Sequence, residues 1–226
     1  GSPEGSLFGG QSPQIALSPD GRQVAFVASF QGSTRVVWVR PLGSLVARPL
    51  TGTEDASYPF WSADGRFVGF FSSGKLKKVQ VSGGPPVTLC DAASARGGTW
   101  NQDNVILFTP QSTGPIQRIT SAGGVPTALT ELRSTEASHR WPAFLPDGVH
   151  YLYFAGTPPA AGEIRLGTLE VPSTDAPMIA SSDSGAQFSA GHVLFLRSGT
   201  LMAQAFDLAT SQAGGDPFPV AQQISL

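Results

Sequence analysis

Residues suited to binding a polar ligand recur at one spacing in this sequence. They stand six to eight residues before the turn of each of several short repeats. The candidate ligand-binding residues are Ser57, Tyr58, Arg96, His139, Arg140 and Trp141. Arginine forms paired hydrogen bonds with carboxylates, and aromatic rings stack on planar groups, so this set suits a peptide, an acidic ligand or a sugar.

The same residues also have a plainer interpretation, which we favour from sequence alone. In it, Arg96 and Arg140 pair with acids of the same loops, while Tyr58 and Trp141 wedge between neighbouring sheets. The acids available for such pairs are Glu54, Asp55, Asp91 and Glu136. The binding role of the six residues therefore stays a hypothesis at this point.

Local catalytic signatures are missing from the sequence. It has no G-x-S-x-G, G-x-G-x-x-G or H-E-x-x-H string and no kinase catalytic or D-F-G string. Turn aspartates such as Asp20 and Asp64 lie in separate repeats, and we expect each to accept hydrogen bonds from its own turn rather than hold a cation. The sequence predicts no catalytic residue, no metal site and no cofactor.

Composition limits the classes of partner. With 14 basic and 16 acidic residues the formal net charge is −2, so no strong field exists to attract nucleic acid. No run of about 18 apolar residues exists, so we expect no membrane contact within this chain. The 27 glycines and 19 prolines favour short strands and tight turns over helices.

One turn recurs along the chain at nearly constant spacing. Its markers are Asp20, Asp64, Asp103, Asp147 and Gly191, which gives steps of 44, 39, 44 and 44 residues by subtraction. Each copy supplies four extended segments, and a period of about 40 to 45 residues with several strands is typical of propeller blades. The sequence therefore predicts an all-β domain of five four-stranded antiparallel blades. The predicted blade ranges are 12–55, 56–94, 95–138, 139–183 and 184–226.

The repeated turn and strand have a physical explanation. Asp accepts hydrogen bonds from the turn, Gly takes a left-handed conformation, and the next strand places its apolar side chains between neighbouring sheets. Runs such as "VAFVA" and "YLYFA" are apolar at successive positions because a central strand is covered on both faces. Only stacking of the sheets buries these faces.

The unit "SPDGRQVAFVAS" resembles the WD-like propeller repeats of the TolB type. The strings "ASYPFWSADGRFVGFFSS" and "SHRWPAFLPDGVHYLYFA" resemble the propeller region that follows the kinase domain and membrane segment of many bacterial serine/threonine kinases. This resemblance implies a sensor or scaffold domain that binds a protein, a peptide or a small polar ligand, in an extracytoplasmic location, with the kinase on flanking sequence. In a propeller, the six candidate residues converge around the central opening.

Two alternative functions stay open. The chain is either such a binding propeller or the substrate-gating propeller of a prolyl-oligopeptidase-like serine hydrolase, with the nucleophile on another domain. A carbohydrate-active enzyme that uses His139 or Arg140 is the least favoured interpretation. A kinase catalytic loop upstream or a nucleophile elbow downstream in the native gene decides between the first two.

Two irregular repeats and the start of the chain carry further expectations. The third repeat reads "NQDNV" and the fifth "SAGHV", which predicts a shortened fifth hairpin. The opening Gly-Ser without Met is typical of a tag-cleavage scar. The repeats begin at an inner strand and end at an outer one, and "PEGSLFGG" has no clear strand that would complete a blade, so the five blades either close by face packing alone or form part of a larger propeller. An incomplete ring exposes an apolar face, and we then expect self-association.

We also expect Lys75, Lys77 and Lys78 to form a solvated strand edge.

Overall fold

The computed structural model describes residues 14–29, 34–157, 160–170 and 176–223. These residues form twenty β-strands and no helix. The strands make five four-stranded sheets, and in each sheet the strands that follow one another in sequence are neighbours. This arrangement confirms the predicted all-β chain of five four-stranded modules. The described residues contain no helix of the length and apolarity that a membrane crossing needs.

The strand boundaries follow the repeat. The first sheet contains β1 (Ile15–Leu17), β2 (Gln23–Ala28), β3 (Val36–Pro41) and β4 (Arg48–Pro49). The second contains β5 (Ser57–Trp61), β6 (Phe67–Ser72), β7 (Lys75–Gln80) and β8 (Val87–Asp91). The third contains β9 (Gly98–Trp100), β10 (Val105–Phe108), β11 (Gln117–Thr120) and β12 (Thr127–Ala128). The fourth contains β13 (Ser138–Phe144), β14 (His150–Gly156), β15 (Gly162–Thr168) and β16 (Met178–Ser182). The fifth contains β17 (Gln187–Ser189), β18 (His192–Arg197), β19 (Thr200–Asp207) and β20 (Gln212–Ala221).

The chain divides into two compact units. One consists of Gly1–Gln111 with Arg118–Pro126, and the other of Ser112–Gln117 with Thr127–Leu226. The first and second sheets lie wholly in the first unit, and the fourth and fifth sheets lie wholly in the second. Residues of the third sheet belong to both units.

The core of the first unit lies between consecutive sheets. One cluster joins Ala25, Val27 and Val37 of the first sheet to buried side chains of the second, which are Trp61, Val68, Phe70 and Val79. A second cluster joins Phe60, Phe71 and Leu76 of the second sheet to Trp100, Ile106 and Phe108 of the third. The second sheet therefore buries one apolar face against the first sheet and the other against the third, as the repeat predicts.

The core of the second unit also lies between consecutive sheets. Its cluster joins Leu152, Phe154 and Ile164 of the fourth sheet to Val193, Phe195 and Phe206 of the fifth. Along β14, every residue of Tyr151–Ala155 is buried. The strand is covered on both faces, which confirms the interpretation of its continuous apolar run.

The repeated turn has the predicted chemistry. The Ser18 hydroxyl donates to Asp20 Oδ1 at 2.6 Å, and that oxygen also accepts from the Arg22 amide at 3.0 Å. Ser62, Asp64 and Arg66 repeat these bonds at 2.6 and 3.0 Å. The glycines that follow, at positions 21 and 65, have φ of 68° and 69°. The turn aspartates thus close their own turns.

The third and fifth repeats form the corresponding turn with different residues. In the third, Asn101 Oδ1 accepts from the amides of Asp103 at 3.1 Å and Val105 at 2.9 Å, and Asn104 takes the left-handed position with φ of 61°. In the fifth, Ala190 and Gly191 have φ of 48° and 76°. The strands that flank them pair Ser189 with His192, so this hairpin is short, as predicted.

The lysines of β7 do not lie on a sheet edge. This strand pairs with β6 on one side and β8 on the other, so the expected solvated edge is wrong. Lys78 Nζ donates to the Ser121 carbonyl at 2.7 Å and lies 5.2 Å from the Phe67 ring centroid. Lys75 pairs with Asp91. The apolar stem of Lys78 can cover an aromatic side chain while its charge reaches a polar partner, and sequence alternation alone does not show this.

Candidate functional site

The six predicted binding residues lie at the starts of first strands. Ser57 and Tyr58 begin β5, and Arg96 comes two residues before β9, all in the first unit. In the second unit, His139, Arg140 and Trp141 lie in β13. Of the equivalent residues before β1, Ser12 and Pro13 lie outside the described residues, and Gln14 lies within them.

Tyr58 has an unusual backbone conformation. Its φ is 47°, and the β5–β6 register shifts between Ser57 and Phe60, as in a β-bulge. The Tyr58 amide donates to Gln14 Oε1 at 2.6 Å. Its half-buried ring packs against the second core cluster. A bulky residue held at positive φ costs about 1–3 kcal/mol unless its surroundings compensate.

The side chain of Arg96 is bonded within its own loop. Its Nη1 donates to the Ala95 carbonyl at 2.8 Å, and to the carbonyl and hydroxyl oxygens of Ser94 at 3.3 and 3.4 Å. These acceptors are neutral, so they do not neutralise the guanidinium charge. Asp91, which the plainer interpretation offered as a partner, pairs with Lys75 instead.

Trp141 repeats the backbone conformation of Tyr58. Its φ is 51°, and the β13–β14 register shifts between Arg140 and Ala143. The Trp141 ring stands edge-on to Phe154 with centroids 5.3 Å apart. A Cβ at Gly185 would lie 2.7 Å from the Trp141 Cβ, so the glycine at the equivalent position of the next repeat leaves room for this residue.

Arg140 is held beside Trp141. Its Nε donates to the Ser138 hydroxyl, its Nη2 donates to the Ser112 carbonyl, and its Cζ lies 5.9 Å from the Trp141 ring centroid. These contacts fix a half-buried guanidinium next to a half-buried indole. Such a pair offers a ligand both hydrogen-bond donors and a flat apolar surface.

His139 differs from its neighbours because it has no exposed surface. Its Nδ1 lies 2.7 Å from Thr130 Oγ1 and its Nε2 lies 3.0 Å from Glu136 Oε2. Its ring centroid lies 4.9 Å from that of Tyr153. In this conformation the side chain presents no surface to a ligand, and its contacts tie β13 to Thr130 and Glu136.

Sequence reasoning missed the buried ionic network around His139. Arg165 of β15 is 3% exposed, and its Nη2 lies 2.8 Å from Glu136 Oε1 and 2.6 Å from Glu163 Oε2. Glu136 Oε2 also accepts from the Arg133 amide at 2.8 Å. Glu136 is therefore held by Arg165 and His139, and we correct its expected role as an acid for Arg96 or Arg140. The one available signal was an arginine inside the apolar strand "EIRLG".

Burial and charge set the protonation states in this network. Burial lowers the pKa of His139 despite its hydrogen bond to Glu136. Burial acts to raise the pKa of Glu136, but hydrogen bonds from Arg133 and His139 and the charge of Arg165 leave it below its usual range. Burial raises the pKa of Tyr153 to about 12. Near neutral pH, the network thus combines an ionised Glu136–Arg165 pair with a neutral imidazole.

The described residues bring no three His, Cys, Asp or Glu side chains together in a metal-binding arrangement. Cys90 is half-buried, and burial raises the pKa of its thiol to about 11. A thiol with this pKa stays protonated at neutral pH, which makes it a poor nucleophile.

Solved structures similar to this chain show the class of fold. TolB from Acinetobacter baumannii superimposes with a TM-score of 0.67 at 14% identity over 94% of this chain and 55% of that chain. The Cps50 (Swd1) β-propeller domain of Myceliophteria thermophila superimposes with a TM-score of 0.62 at 14% identity over 96% and 75%. The chain has a TolB-like β-propeller fold. It spans little more than half the length of this TolB chain.

A prolyl endopeptidase also contains a similar region. It superimposes with a TM-score of 0.59 at 12% identity, over 93% of this chain but only 35% of the endopeptidase chain. No family model and no curated protein sequence matches the chain. At these identities the likenesses establish the propeller fold alone.

Proposed function

We propose that this chain is a non-catalytic binding propeller whose ligands contact the starts of first strands, at Tyr58 and Arg96 in the first unit and, as a separate position, at Arg140 and Trp141 in the second. One observation carries the proposal: Tyr58 and Trp141, at equivalent positions of two repeats, both hold a large aromatic side chain at positive φ. Backbone strain of this kind is concentrated at sites of function.

The other repeats show that the aromatic residues are not needed to form the blade. The equivalent residues are Gln14, Gly97 and Gly185, and Gly97 meets the same requirement with φ of 97°. Glycine accepts positive φ without a steric penalty. A repeat under selection for stability alone has glycine available here, so a strained Tyr or Trp supports a role in contact with another molecule.

The charged neighbours indicate the chemistry of that molecule. Arg96 and Arg140 occupy equivalent positions, and the Arg96 guanidinium hydrogen-bonds to neutral oxygens of its own loop. A carboxylate or another acidic group supplies the negative charge that these acceptors lack. The proposed ligand is therefore an acidic peptide or a small acidic molecule with a planar group that stacks on Tyr58 or Trp141.

In the full protein, we propose that this propeller is the sensor or scaffold part of a bacterial receptor-type serine/threonine kinase. The resemblance of the strings around Trp61 and Trp141 to kinase-associated propellers supports this placement. The proposed kinase would lie on sequence upstream of residue 1. A kinase catalytic loop in that part of the native gene is the observation that this proposal requires.

The likeness to a prolyl endopeptidase favours one alternative. The matching region covers 35% of the endopeptidase chain. If this protein has the same organisation, its catalytic residues lie mainly outside the present chain. In this alternative the propeller gates access to a serine nucleophile. A nucleophile elbow downstream of residue 226 in the native gene is its requirement.

Calorimetry with short peptides tests the binding proposal. A pool of short peptides with acidic side chains and a free C-terminal carboxylate is compared with its amidated, neutral counterpart. We expect saturable binding of the acidic pool, weakened about tenfold or more by Arg140→Gln. Arg22→Gln is the matched control because Arg22 is exposed in the first repeat turn. Absence of saturable binding, or equal loss in both variants, contradicts the proposal.

A further inference from the structure

The first sheet exposes an apolar face that is buried in the second sheet. We call it the Leu17 face, and it consists of Ile15, Leu17, Val24 and Phe26. The β1–β2 register pairs Ile15 with Phe26 and Leu17 with Val24, which places all four on one side. Ile15 is 60% exposed and Leu17 is 59% exposed, whereas Val24 is half-buried and Phe26 packs against the buried Trp38 of β3.

The equivalent residues of the next repeat are buried against the preceding sheet. Leu17 corresponds to Trp61, which is 6% exposed, while Val24 and Phe26 correspond to Val68 and Phe70, both fully buried. In the second sheet these residues pack on the first, and Trp61 Nε1 donates to the Ala16 carbonyl at 2.9 Å. The sequence of the Leu17 face is therefore that of a blade face which another blade covers.

The fifth sheet exposes a face of the opposite kind. We call it the Phe218 face, and it consists of Leu194, Ala203 and Phe218. The register pairs Leu194 with Ala203 and Ala203 with Phe218. Phe218 is 49% exposed at the outer strand, whereas Leu194 is half-buried and Ala203 is buried. Val220, two residues further along β20, is 54% exposed.

Comparison with the first sheet shows that the Phe218 face corresponds to the side of a blade that packs on the next blade. Strand β18 reads Val193-Leu194-Phe195, which matches Val24-Ala25-Phe26 of the first sheet. Val193 and Phe195 pack on the fourth sheet, so Leu194 points the other way. Its equivalent, Ala25, is fully buried in the cluster that covers the second sheet. One copy of the chain thus carries both the Leu17 face, which corresponds to a face that the preceding blade covers, and the Phe218 face, which corresponds to a face that packs on the following blade.

Charge at the two faces is complementary. Arg40 of β3 pairs with Val24, so it lies on the same side as the Leu17 face. Asp216 is exposed two residues before Phe218. Opposite charges next to matching apolar surfaces favour one orientation of contact over others.

We propose that copies of this chain associate head to tail, with the Phe218 face of one copy covering the Leu17 face of the next. The contact repeats between copies the packing that joins consecutive sheets within each unit. It is heterologous, because different surfaces of the two copies meet, so it produces rings or open chains rather than a two-fold dimer.

The test is light scattering after size-exclusion chromatography, on wild type and on two charge variants. Leu17→Lys blocks one face and Phe218→Lys blocks the other, while Val125→Lys is the control at a residue that is 89% exposed. The wild type and the control are expected to increase in mass over about a hundredfold rise in concentration. Each blocking variant alone should weaken association by more than about tenfold.

Mixing the two blocking variants distinguishes a head-to-tail contact from other modes. Each variant retains the face that the other needs, so an equimolar mixture should form one heterodimer and nothing larger. Circular dichroism of every variant shows that the fold is retained. A wild type that stays monomeric at all concentrations overturns the proposal. A Phe218→Lys variant that still dimerises alone overturns it too, because that result requires a contact between two Leu17 faces.

Discussion

Trp61 donates its indole N–H to the Ala16 carbonyl oxygen at 2.9 Å, and thereby ties the first strand of the second sheet to the first strand of the first. The indole ring lies in the core cluster that both sheets share. A repeat residue thus joins its own sheet to the preceding one through apolar contact and a directed bond.

Trp61→Phe tests the directed part of this link. The variant keeps an aromatic ring between the sheets but removes the donor, so we expect a loss of about 1–2 kcal/mol in the free energy of unfolding. Urea titration followed by circular dichroism measures it. A free energy of unfolding equal to that of the wild type would show that the bond contributes nothing net.

Gly69→Ala tests how closely the second sheet packs on the Phe60 ring. A Cβ at Gly69 would lie 2.3 Å from Phe60 Cζ, so we expect a loss of about 1–3 kcal/mol through overpacking. Gly43→Ala is the control, since a Cβ there meets nothing within 4 Å. Adding Phe60→Leu to Gly69→Ala should recover part of the loss, and a strictly additive double variant would contradict the packing argument.

Tyr58→Gly and Tyr58→Ala separate backbone strain from side-chain packing. Both variants lose the ring, but only glycine takes the φ of 47° without steric penalty. The glycine variant should therefore be more stable than the alanine variant by about 1 kcal/mol. Thermal unfolding of the two proteins side by side measures the difference. An alanine variant as stable as the glycine variant would mean that the position is unstrained.

The neutral state of His139 predicts how stability depends on pH. Its pKa is lowered in the folded chain, so the unfolded chain binds a proton first as pH falls below about 6.5. The stabilisation is present above this pH and is lost progressively at lower pH. His139→Gln should flatten the decline in unfolding free energy between about pH 7 and pH 5. An unchanged slope in urea titrations across that range would assign the decline to other groups.

Removing one partner of the buried ion pair should be more damaging than a surface charge change. Glu136→Gln leaves Arg165, which is 3% exposed, with less compensating charge, and we expect a loss of about 3–5 kcal/mol. Arg66→Gln is the control, because it removes the exposed Asp64–Arg66 pair, which contributes little, and leaves the Asp64 turn bonds in place. Equal losses in the two variants would contradict the assignment of Glu136 to a buried ion pair with Arg165.

Local and repeated features were predictable from sequence. The turn from Ser62 to Phe67 depends on residues within five positions, so the Asp and Gly pattern determines it. The five sheets follow from repetition, since each copy restates the same strands.

Features that depend on tertiary contacts were not predictable. Glu136 meets Arg165 across 29 residues by subtraction, and only the folded positions of β15 and of the segment just before β13 bring the two together. The positive φ of Tyr58 depends on a bulge in β5, and neighbouring residue types do not specify it. The place of Lys78 over the Phe67 ring likewise requires the packing of the second sheet.

The proposed binding role is tested most directly by NMR titration of the isotope-labelled chain with the acidic peptide pool. The account predicts concentration-dependent shifts of the Trp141 indole and Arg140 guanidinium signals and of the Tyr58 amide, while Arg22 signals stay fixed. Shifts confined to other residues, or no shifts at saturating peptide, would contradict it.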